Sequence, residues 1–178
     1  MSARVVWLVA AVAGVIAAIV IVAPFFSPSS DRPAGPAGFA GEPAPVYALR
    51  DDAGMPVSLA HYRGRIVVMN LWGTWCPPCR AEMPELQRLA DTYASRGLTV
   101  VGVNQGESAQ SARAFATALA IRYPIWLDDG QQYGRAFTAL GLPTTVVVGR
   151  DGIVVHGYDG ALTYDQLRAA VNGLAVTR

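Results

Sequence analysis

The stretch Asn70-Leu71-Trp72-Gly73-Thr74-Trp75-Cys76-Pro77-Pro78-Cys79-Arg80 decides the fold of this chain. It holds both cysteines of the sequence, three residues apart, between an apolar run that predicts a strand and a run that predicts a helix. The cysteines are therefore expected at the first turn of the helix, where free backbone N–H groups and the helix dipole favour a thiolate. A pair at this spacing can close into a disulfide and reopen by exchange, so we predict a redox-active dithiol.

Other uses of a cysteine pair fit this sequence less well. A structural zinc site needs four ligands, and the two histidines, His61 and His156, lie far apart in the sequence. Covalent haem attachment requires a histidine directly after the second cysteine, where this chain has Arg80. A purely structural disulfide across so short a loop would remove little chain entropy. We expect no metal site and no cofactor other than the Cys76–Cys79 disulfide.

The N-terminus accounts for much of the high hydrophobic content of the chain, which is 52%. Val5–Ala23 is apolar or Gly at every position and would span about 28 Å as a helix, close to the ~30 Å hydrocarbon core of a bilayer. We predict a membrane anchor over residues 1–26, with a cleavable signal peptide as the alternative. Either would deliver the rest of the chain outside the cytoplasm. The net charge of +1, with both signs scattered, argues against nucleic acid as a partner.

Beyond the anchor, the sequence predicts a linker and one folded domain. Residues 27–44 are rich in Pro, Gly, Ala and Ser and predict a flexible linker, so the domain is expected over residues 45–178. Turn residues and periodicity predict a hairpin of strands 46–49 and 57–59 around a turn at 50–54, and a second hairpin of strands 144–148 and 153–158 through 150–152. They also predict strands at 66–72, 98–104 and 123–127, and helices at 76–95, 109–120, 132–140 and 163–175. This order indicates an α/β fold with a mixed central sheet covered by helices on both faces.

The segment Asn70–Leu86 resembles the active-site region of the membrane-anchored thioredoxin-like proteins of the TlpA and ResA type. Gly141-Leu142-Pro143-Thr144-Thr145 resembles their cis-proline loop, and Ser108–Ala120 with the strand after it resembles their αβ insertion relative to plain thioredoxin. The resemblance covers about Pro45 to Arg178. It implies a thioredoxin-like fold with an N-terminal β-hairpin and a central αβ insertion, and thiol–disulfide oxidoreductase activity outside the bacterial cytoplasm.

The resemblance also implies roles for individual residues. Cys76 would be the exposed attacking thiolate and Cys79 the recessed resolving thiol. Pro143 would be a cis-proline that faces the cysteine pair and leaves the adjoining backbone free to pair with an extended substrate segment. The residues expected to contact the substrate are Trp75, Pro77, Pro78, Leu142 and Pro143.

Glu82 lies one helical turn after Cys79 and would face the same side of the helix. In ResA-like members a Glu at this place helps to tune the cysteine pKa values and substrate recognition; the alternative is a solvated helix charge. Ordinary thioredoxins carry a buried Asp six residues before the first cysteine, where this chain has Asn70. Because an amide cannot shuttle a proton, we expect Glu82 to serve as the catalytic proton partner of Cys79.

These observations favour a membrane-tethered reductase of disulfides in exported proteins. The expected substrates are apocytochromes c or the copper-site proteins of cytochrome oxidase, with a membrane electron donor for re-reduction. The expected location is the bacterial cytoplasmic membrane, crossed once, with the C-terminal domain on the periplasmic or extracellular side. A disulfide oxidase of the same fold and a Cu(I) chaperone that uses the cysteine pair as soft ligands remain open. A peroxidase needs Pro and Thr where this chain has Met69 and Gly73.

Overall fold

The apolar run before the cysteines forms a central strand whose seven residues are all buried. The computed structural model describes residues 40–176, and this strand is β3, Ile66–Trp72. The other strands are β1 (Leu49–Asp51), β2 (Pro56–Val57), β4 (Leu98–Gln105), β5 (Ile125–Asp128), β6 (Thr144–Val148) and β7 (Val154–Asp159). They form one sheet in the order β2-β1-β5-β4-β3-β6-β7.

The sheet is mixed, as the sequence predicts. The strands β3, β4 and β5 are parallel, and every other neighbouring pair is antiparallel. Trp72 of β3 pairs with Asn104 of β4, so the carboxyl ends of these two strands lie side by side. The chain leaves β3 at this edge and reaches Cys76, so the dithiol lies at the carboxyl end of the parallel strands.

Four α-helices pack on the sheet in the described residues: α1 (Pro77–Tyr93), α2 (Ala109–Ala118), α3 (Gln132–Ala136) and α4 (Tyr164–Val176). Alternate residues of β3 point to opposite faces. Ile66, Val68 and Trp72 join a core with residues of α1, α2 and α4, whereas Val67, Met69 and Leu71 join a core with Tyr133 and Phe137. Complete burial of a side chain of this size contributes about 1.5–3 kcal/mol, so both cores stabilise the strand that positions the site.

Three predicted elements have different bounds in the structure. Helix α3 ends at Ala136 rather than at residue 140, because the chain turns at Thr138, whose φ of 42° lies in the left-handed region. The first strand covers Leu49–Asp51 rather than residues 46–49, because the Asp51 side chain accepts hydrogen bonds from the Ala53 and Met55 N–H groups and so forms the turn after it. The third parallel strand begins at Ile125, just after Pro124.

The ordered chain also begins earlier than composition suggests. Pro43 forms a β-bridge with Ile153, and the Gly41 N–H donates to the Val154 carbonyl at 2.8 Å. Residues 41–44, assigned to the linker from their composition, are thus paired with residues at the start of β7. Backbone pairing needs no apolar periodicity, so composition does not reveal it. The predicted anchor, residues 1–26, lies outside the described residues, and among residues 40–176 no helix is long and apolar enough to cross a membrane.

Candidate active site

The two cysteines lie at the start of α1 and form a disulfide with an S–S distance of 2.04 Å. Cys76 is the N-cap residue of the helix, and its sulfur accepts a hydrogen bond from the Cys79 backbone N–H at 3.2 Å. Pro77 occupies the first helical position, where the N–H that it lacks would have no intrahelical partner. The sequence prediction that the pair sits at a helix start is confirmed, with Cys76 just outside the first turn.

Both cysteines are buried, although an exposed Cys76 was expected. Cys79 is completely buried, as expected for a recessed thiol, but Cys76 is only 3% exposed. In this disulfide form its sulfur packs into the same core as Trp72 and Met83. The prediction of an exposed Cys76 is therefore wrong for the oxidised protein. The exposed neighbours are Trp75, Pro77 and Pro78, and Trp75 is 66% exposed.

Glu82 is a buried carboxylate with three hydrogen-bond donors around it. It is 1% exposed, which excludes the alternative of a solvated helix charge. Its Oε1 accepts from the Leu162 N–H at 3.1 Å and the Thr145 hydroxyl at 3.3 Å, and its Oε2 accepts from Asn70 Nδ2 at 3.0 Å. Burial raises the pKa of Glu82 to about 7, and these hydrogen bonds offset part of the rise. A carboxyl group with this pKa can give or take a proton near neutral pH.

Two further buried polar groups lie near this carboxylate. Asn70 also donates from Nδ2 to the Thr145 hydroxyl at 2.9 Å, while its Oδ1 has no hydrogen-bond partner among the described residues. Tyr123 is buried, and both its burial and the charge of Glu82 raise its pKa. The buried hydrogen-bonded cluster of Glu82, Asn70 and Thr145 thus contains one carboxylate, and Asn70 contributes an amide rather than a second acid.

The loop opposite the cysteines contains a cis peptide bond between Leu142 and Pro143, as the resemblance implied. Pro143 is buried, and its carbonyl accepts from the Gly160 N–H at 2.8 Å. Leu142 is half-buried, and no described residue hydrogen-bonds to its backbone. A groove of about 390 Å³ beside this loop is lined by Trp75, Gln105, Gln131, Gly134, Arg135, Thr138, Ala139, Gly141 and Leu142. The structure thus brings Trp75 and Leu142 together on one groove, whereas the Pro143 side chain is covered.

Glu107 is a site residue that sequence reasoning missed. Its Oε2 accepts from the Thr74 N–H and from Asn104 Nδ2, both at 2.7 Å, and its Oε1 accepts from the Thr74 hydroxyl at 2.5 Å. Burial of this half-buried group opposes ionisation, but the hydrogen bonds from Thr74 and Asn104 outweigh it and hold the pKa of Glu107 below its usual range. Glu107 therefore fixes the loop between β3 and Cys76.

A signal for this contact was present in the sequence. Asn104 is a polar residue at the carboxyl end of a buried apolar strand, and Glu107 follows three residues later. Carboxyl ends of neighbouring parallel strands lie at one edge of a sheet, where functional side chains commonly converge. The pairing of Asn104 with Trp72 places Glu107 beside the loop that leads to the dithiol.

The predicted insertion, α2 with β5, also contacts the active-site helix. The Phe115 ring of α2 stacks on Trp72 with centroids 5.5 Å apart, and the Arg80 guanidinium lies 5.7 Å from the Phe115 ring centroid. Aromatic stacking and cation–π contacts of this kind each contribute about 0.5–1.5 kcal/mol. The insertion thus packs against the residues on both sides of the dithiol, Trp72 and Arg80.

Metal binding finds no support in the described part of the chain. It contains no group of three or more His, Cys, Asp and Glu side chains placed to hold a metal ion. His61 lies in the short 3₁₀ segment Leu59–Tyr62, and His156 lies on β7. The two histidines belong to separate elements.

Comparison with known proteins agrees with this geometry. The AhpC/TSA family matches residues 40–157, which include the dithiol, Glu82, Glu107 and the cis-proline loop. The thiol-disulfide oxidoreductase ResA of Geobacillus kaustophilus is 35% identical over 127 residues, 71% of this chain and 73% of the relative. ResA of Bacillus subtilis is 33% identical over 132 residues, 74% of each chain. A solved thiol:disulfide interchange protein of the thioredoxin family from Chlorobium tepidum matches with a TM-score of 0.67 at 28% identity, over 83% of this chain and 99% of that one.

Proposed function

Because this chain belongs to the AhpC/TSA family, and within it to the ResA-like thiol-disulfide oxidoreductases of thioredoxin fold, we propose that it reduces disulfides in exported proteins. The observation that carries the proposal is the buried Glu82 carboxyl group, one helical turn after Cys79, with a pKa of about 7. Thiol–disulfide exchange requires the buried Cys79 to lose a proton, and Glu82 is the titratable group placed to take it.

The reaction starts from the reduced protein, with Cys76 as thiolate at the N-terminus of α1. The Cys76 sulfur attacks one sulfur of the substrate disulfide, whose S–S bond breaks, and the other substrate sulfur leaves as a thiolate. Cys79 then loses its proton to the Glu82 carboxylate and attacks the Cys76 sulfur. The mixed disulfide breaks, the second substrate thiolate leaves, and the Cys76–Cys79 disulfide closes. Two electrons pass from the dithiol to the substrate, with no further cofactor.

The proton taken by Glu82 needs a route to solvent. A groove of about 600 Å³ between α1 and α4 is lined by Glu82 together with Ala81, Glu85, Arg88, Ala161, Leu162, Thr163, Tyr164, Asp165 and Arg168. Asn70 does not titrate, so it can hold the carboxylate in place but cannot pass the proton onward. The groove therefore supports Glu82 as the group that exchanges protons with water between turnovers.

The substrate is proposed to bind as an extended segment between Trp75 and the cis-proline loop. The exposed Trp75 ring and the half-buried Leu142 side chain offer apolar contacts, and Pro77 and Pro78 border the approach to Cys76. The backbone N–H and C=O of Leu142 can pair with the segment as an added strand would. Pro143 contributes by shaping this loop rather than through its covered side chain.

The cellular setting is also part of the proposal. The apolar run Val5–Ala23 would anchor the chain in the bacterial cytoplasmic membrane, with residues 45–178 on the periplasmic or extracellular side. Oxidised apocytochrome c or the copper-site proteins of cytochrome oxidase are the proposed substrates, because their cysteines must be reduced before haem or copper binds. A membrane electron donor would return the disulfide to the dithiol.

Trapping of the mixed disulfide tests this function. In Cys79→Ser the resolving thiol is absent, so the adduct between Cys76 and the substrate should accumulate and be released by a reducing agent. The matched control, Cys76→Ser with Cys79→Ser, should form no adduct. Failure of Cys79→Ser to capture apocytochrome c, an oxidase copper-site protein or any other exported cysteine protein would refute the function.

The direction of electron flow is tested by the reduction potential of the Cys76–Cys79 pair. Equilibration with glutathione should give a value near that of thioredoxin, about −270 mV, for a reductase. A value near that of DsbA, about −120 mV, would instead assign the oxidase.

A further inference from the structure

Four arginines lie at the end of the sheet opposite the dithiol, and we call them the arginine surface: Arg63, Arg65, Arg96 and Arg150. Arg63 and Arg65 precede β3, Arg96 precedes β4, and Arg150 follows β6. Since β3 and β4 are parallel and β6 is antiparallel to β3, these positions share the edge formed by the amino ends of the parallel strands. The seven residues of β3 separate this edge from the dithiol edge by about 20 Å.

Backbone groups hold the arginine surface together. Arg150 donates to the Gly64 carbonyl at 3.0 Å and to the Arg96 carbonyl at 2.9 Å. Arg63 donates to the Asp151 carbonyl at 3.1 Å, and Arg65 donates to the Leu98 carbonyl at 3.2 Å. Carbonyl partners fix the direction of a guanidinium group without neutralising its charge.

None of these four arginines forms an ion pair with a side chain of the described residues. The ion pairs of the described residues lie elsewhere and involve other arginines: Arg113 with Asp52, Arg122 with Asp91, and Arg168 with Asp165. Asp151 lies in the same turn as Arg150; its carboxylate accepts the Ile153 N–H and contributes one negative charge to this edge. Four cations are thus concentrated on one edge of a chain whose net charge is only +1.

The N-terminal part of the chain joins the domain beside this surface. Pro43 bridges Ile153, and the Ala44 N–H donates to the Gly152 carbonyl at 2.9 Å, directly after Arg150. Nineteen residues, 24–42, separate Pro43 from the end of the apolar run, and even fully extended they reach only about 63–68 Å. The chain therefore enters the described domain at its arginine edge.

We propose that the arginine surface binds the anionic headgroups of the bilayer that holds the anchor, and so presents the dithiol edge away from the membrane. The proposal rests on the membrane anchor of the proposed function. Guanidinium groups bind phosphate oxygens through paired N–H donors, and each basic residue near an anionic bilayer strengthens binding by about fivefold. With Arg63 and Arg65 exposed, at least two such contacts are available at once.

Hydrogen exchange on the full chain in lipid nanodiscs tests the proposal. The backbone amides of Gly64, Arg65 and Gly152 report on the arginine surface, because each donates a backbone hydrogen bond in the turns that carry Arg63, Arg65 and Arg150. We expect them to exchange at least fivefold more slowly in discs rich in phosphatidylglycerol than in discs of phosphatidylcholine. The protection should disappear at 1 M salt, where the screening length falls to about 3 Å.

The variants distinguish this surface from general charge effects. R63Q/R65Q should lose the protection, whereas R113Q/R122Q, which removes the same charge from ion pairs elsewhere, should retain it. Equal exchange in the two lipids, or protection that survives in R63Q/R65Q, would overturn the proposal. Protection produced in phosphatidylcholine discs by inorganic phosphate alone would assign a soluble anion instead of the membrane, and would also overturn it.

The experiment also separates this inference from the proposed function. If the full chain does not remain in the discs, the anchor is refuted and this inference fails with it, while the Cys79→Ser trap still tests the thiol chemistry. If the trap captures no substrate but the arginine surface is protected by anionic lipid, the reductase function fails and the membrane contact stands.

Discussion

Replacement of Glu82 by Gln should make the stability of the domain depend on pH in a defined way. Burial raises the pKa of Glu82 from 4.5 to about 7. The folded state therefore binds a proton more tightly than the unfolded state, and its stability is fully present below pH 4.5 and lost as pH rises through 7. A rise of this size corresponds to about 3 kcal/mol, since one pKa unit equals 1.36 kcal/mol.

Glu82→Gln removes this titration while it keeps the shape of the side chain. The Gln carbonyl can accept from Leu162 and Thr145, and the Gln amide can donate to the unpartnered Oδ1 of Asn70 after that amide rotates. The variant should therefore gain stability over the natural protein as pH rises. We expect the difference in free energy of unfolding to grow by about 3 kcal/mol between pH 4 and pH 8.

Urea denaturation of the two oxidised proteins at five pH values between 4 and 8 measures this difference. With the slopes usual for small domains, the midpoints should separate by about 1–3 M urea over the range. Asp129→Asn, which changes an exposed acid to an amide, is the control and should show no such trend. A stability difference for Glu82→Gln that is the same at pH 4 and pH 8 would refute a buried, titrating Glu82.

Three further predictions concern the surroundings of the dithiol. Glu107→Gln should cost about 1–3 kcal/mol in urea denaturation at pH 7, because one amide oxygen cannot accept all three hydrogen bonds from Thr74 and Asn104. Since the pKa of Glu107 is held below its usual range, this stabilisation is lost as pH falls. A Glu107→Gln variant that is destabilised as much at pH 3 as at pH 7 would contradict this reasoning. Trp75→Ala should lower kcat/KM for a protein disulfide about tenfold without changing the reduction potential. Leu140 is 87% exposed but does not line the groove, so the control variant Leu140→Ala should change neither quantity. Asp128→Ala should lower the free energy of unfolding by about 1–3 kcal/mol, because the Asp128 carboxylate accepts from the Gln132 and Tyr133 N–H groups at the start of α3. A loss no larger than that of the control Asp129→Ala would show that these two hydrogen bonds contribute little.

The features that sequence could predict are those set by neighbouring residues. The buried strand before the cysteines follows from a run of apolar residues, and the helix start at Cys76 follows from two prolines that fit its first turn. Ser108 caps α2 by accepting a hydrogen bond from the Ser111 N–H, three residues later, and the β6–β7 hairpin likewise depends on the neighbouring Asp151 and Gly152. Such signals are read along the chain, so they do not require knowledge of the fold.

The features that sequence could not predict arise from contacts between distant segments. The burial of Glu82 depends on the Leu162 N–H, eighty residues later, and on Thr145 of β6. The Glu107 contact joins Thr74 to a loop 33 residues away. The burial of Cys76 depends on packing within the disulfide form, which residue type does not reveal. Each of these requires the three-dimensional arrangement of the strands.

The pairing of residues 41–44 with the start of β7 protects an edge of the sheet against self-association. β7 is the last strand on its side, and an open edge strand offers unpaired N–H and C=O groups to other chains. The Glu42 carbonyl accepts from the Val154 N–H at 2.9 Å, and the Val154 carbonyl accepts from the Gly41 N–H. A protein cut at residue 45 would leave both backbone groups of Val154 unpaired, so residues 41–44 cover the start of this edge strand.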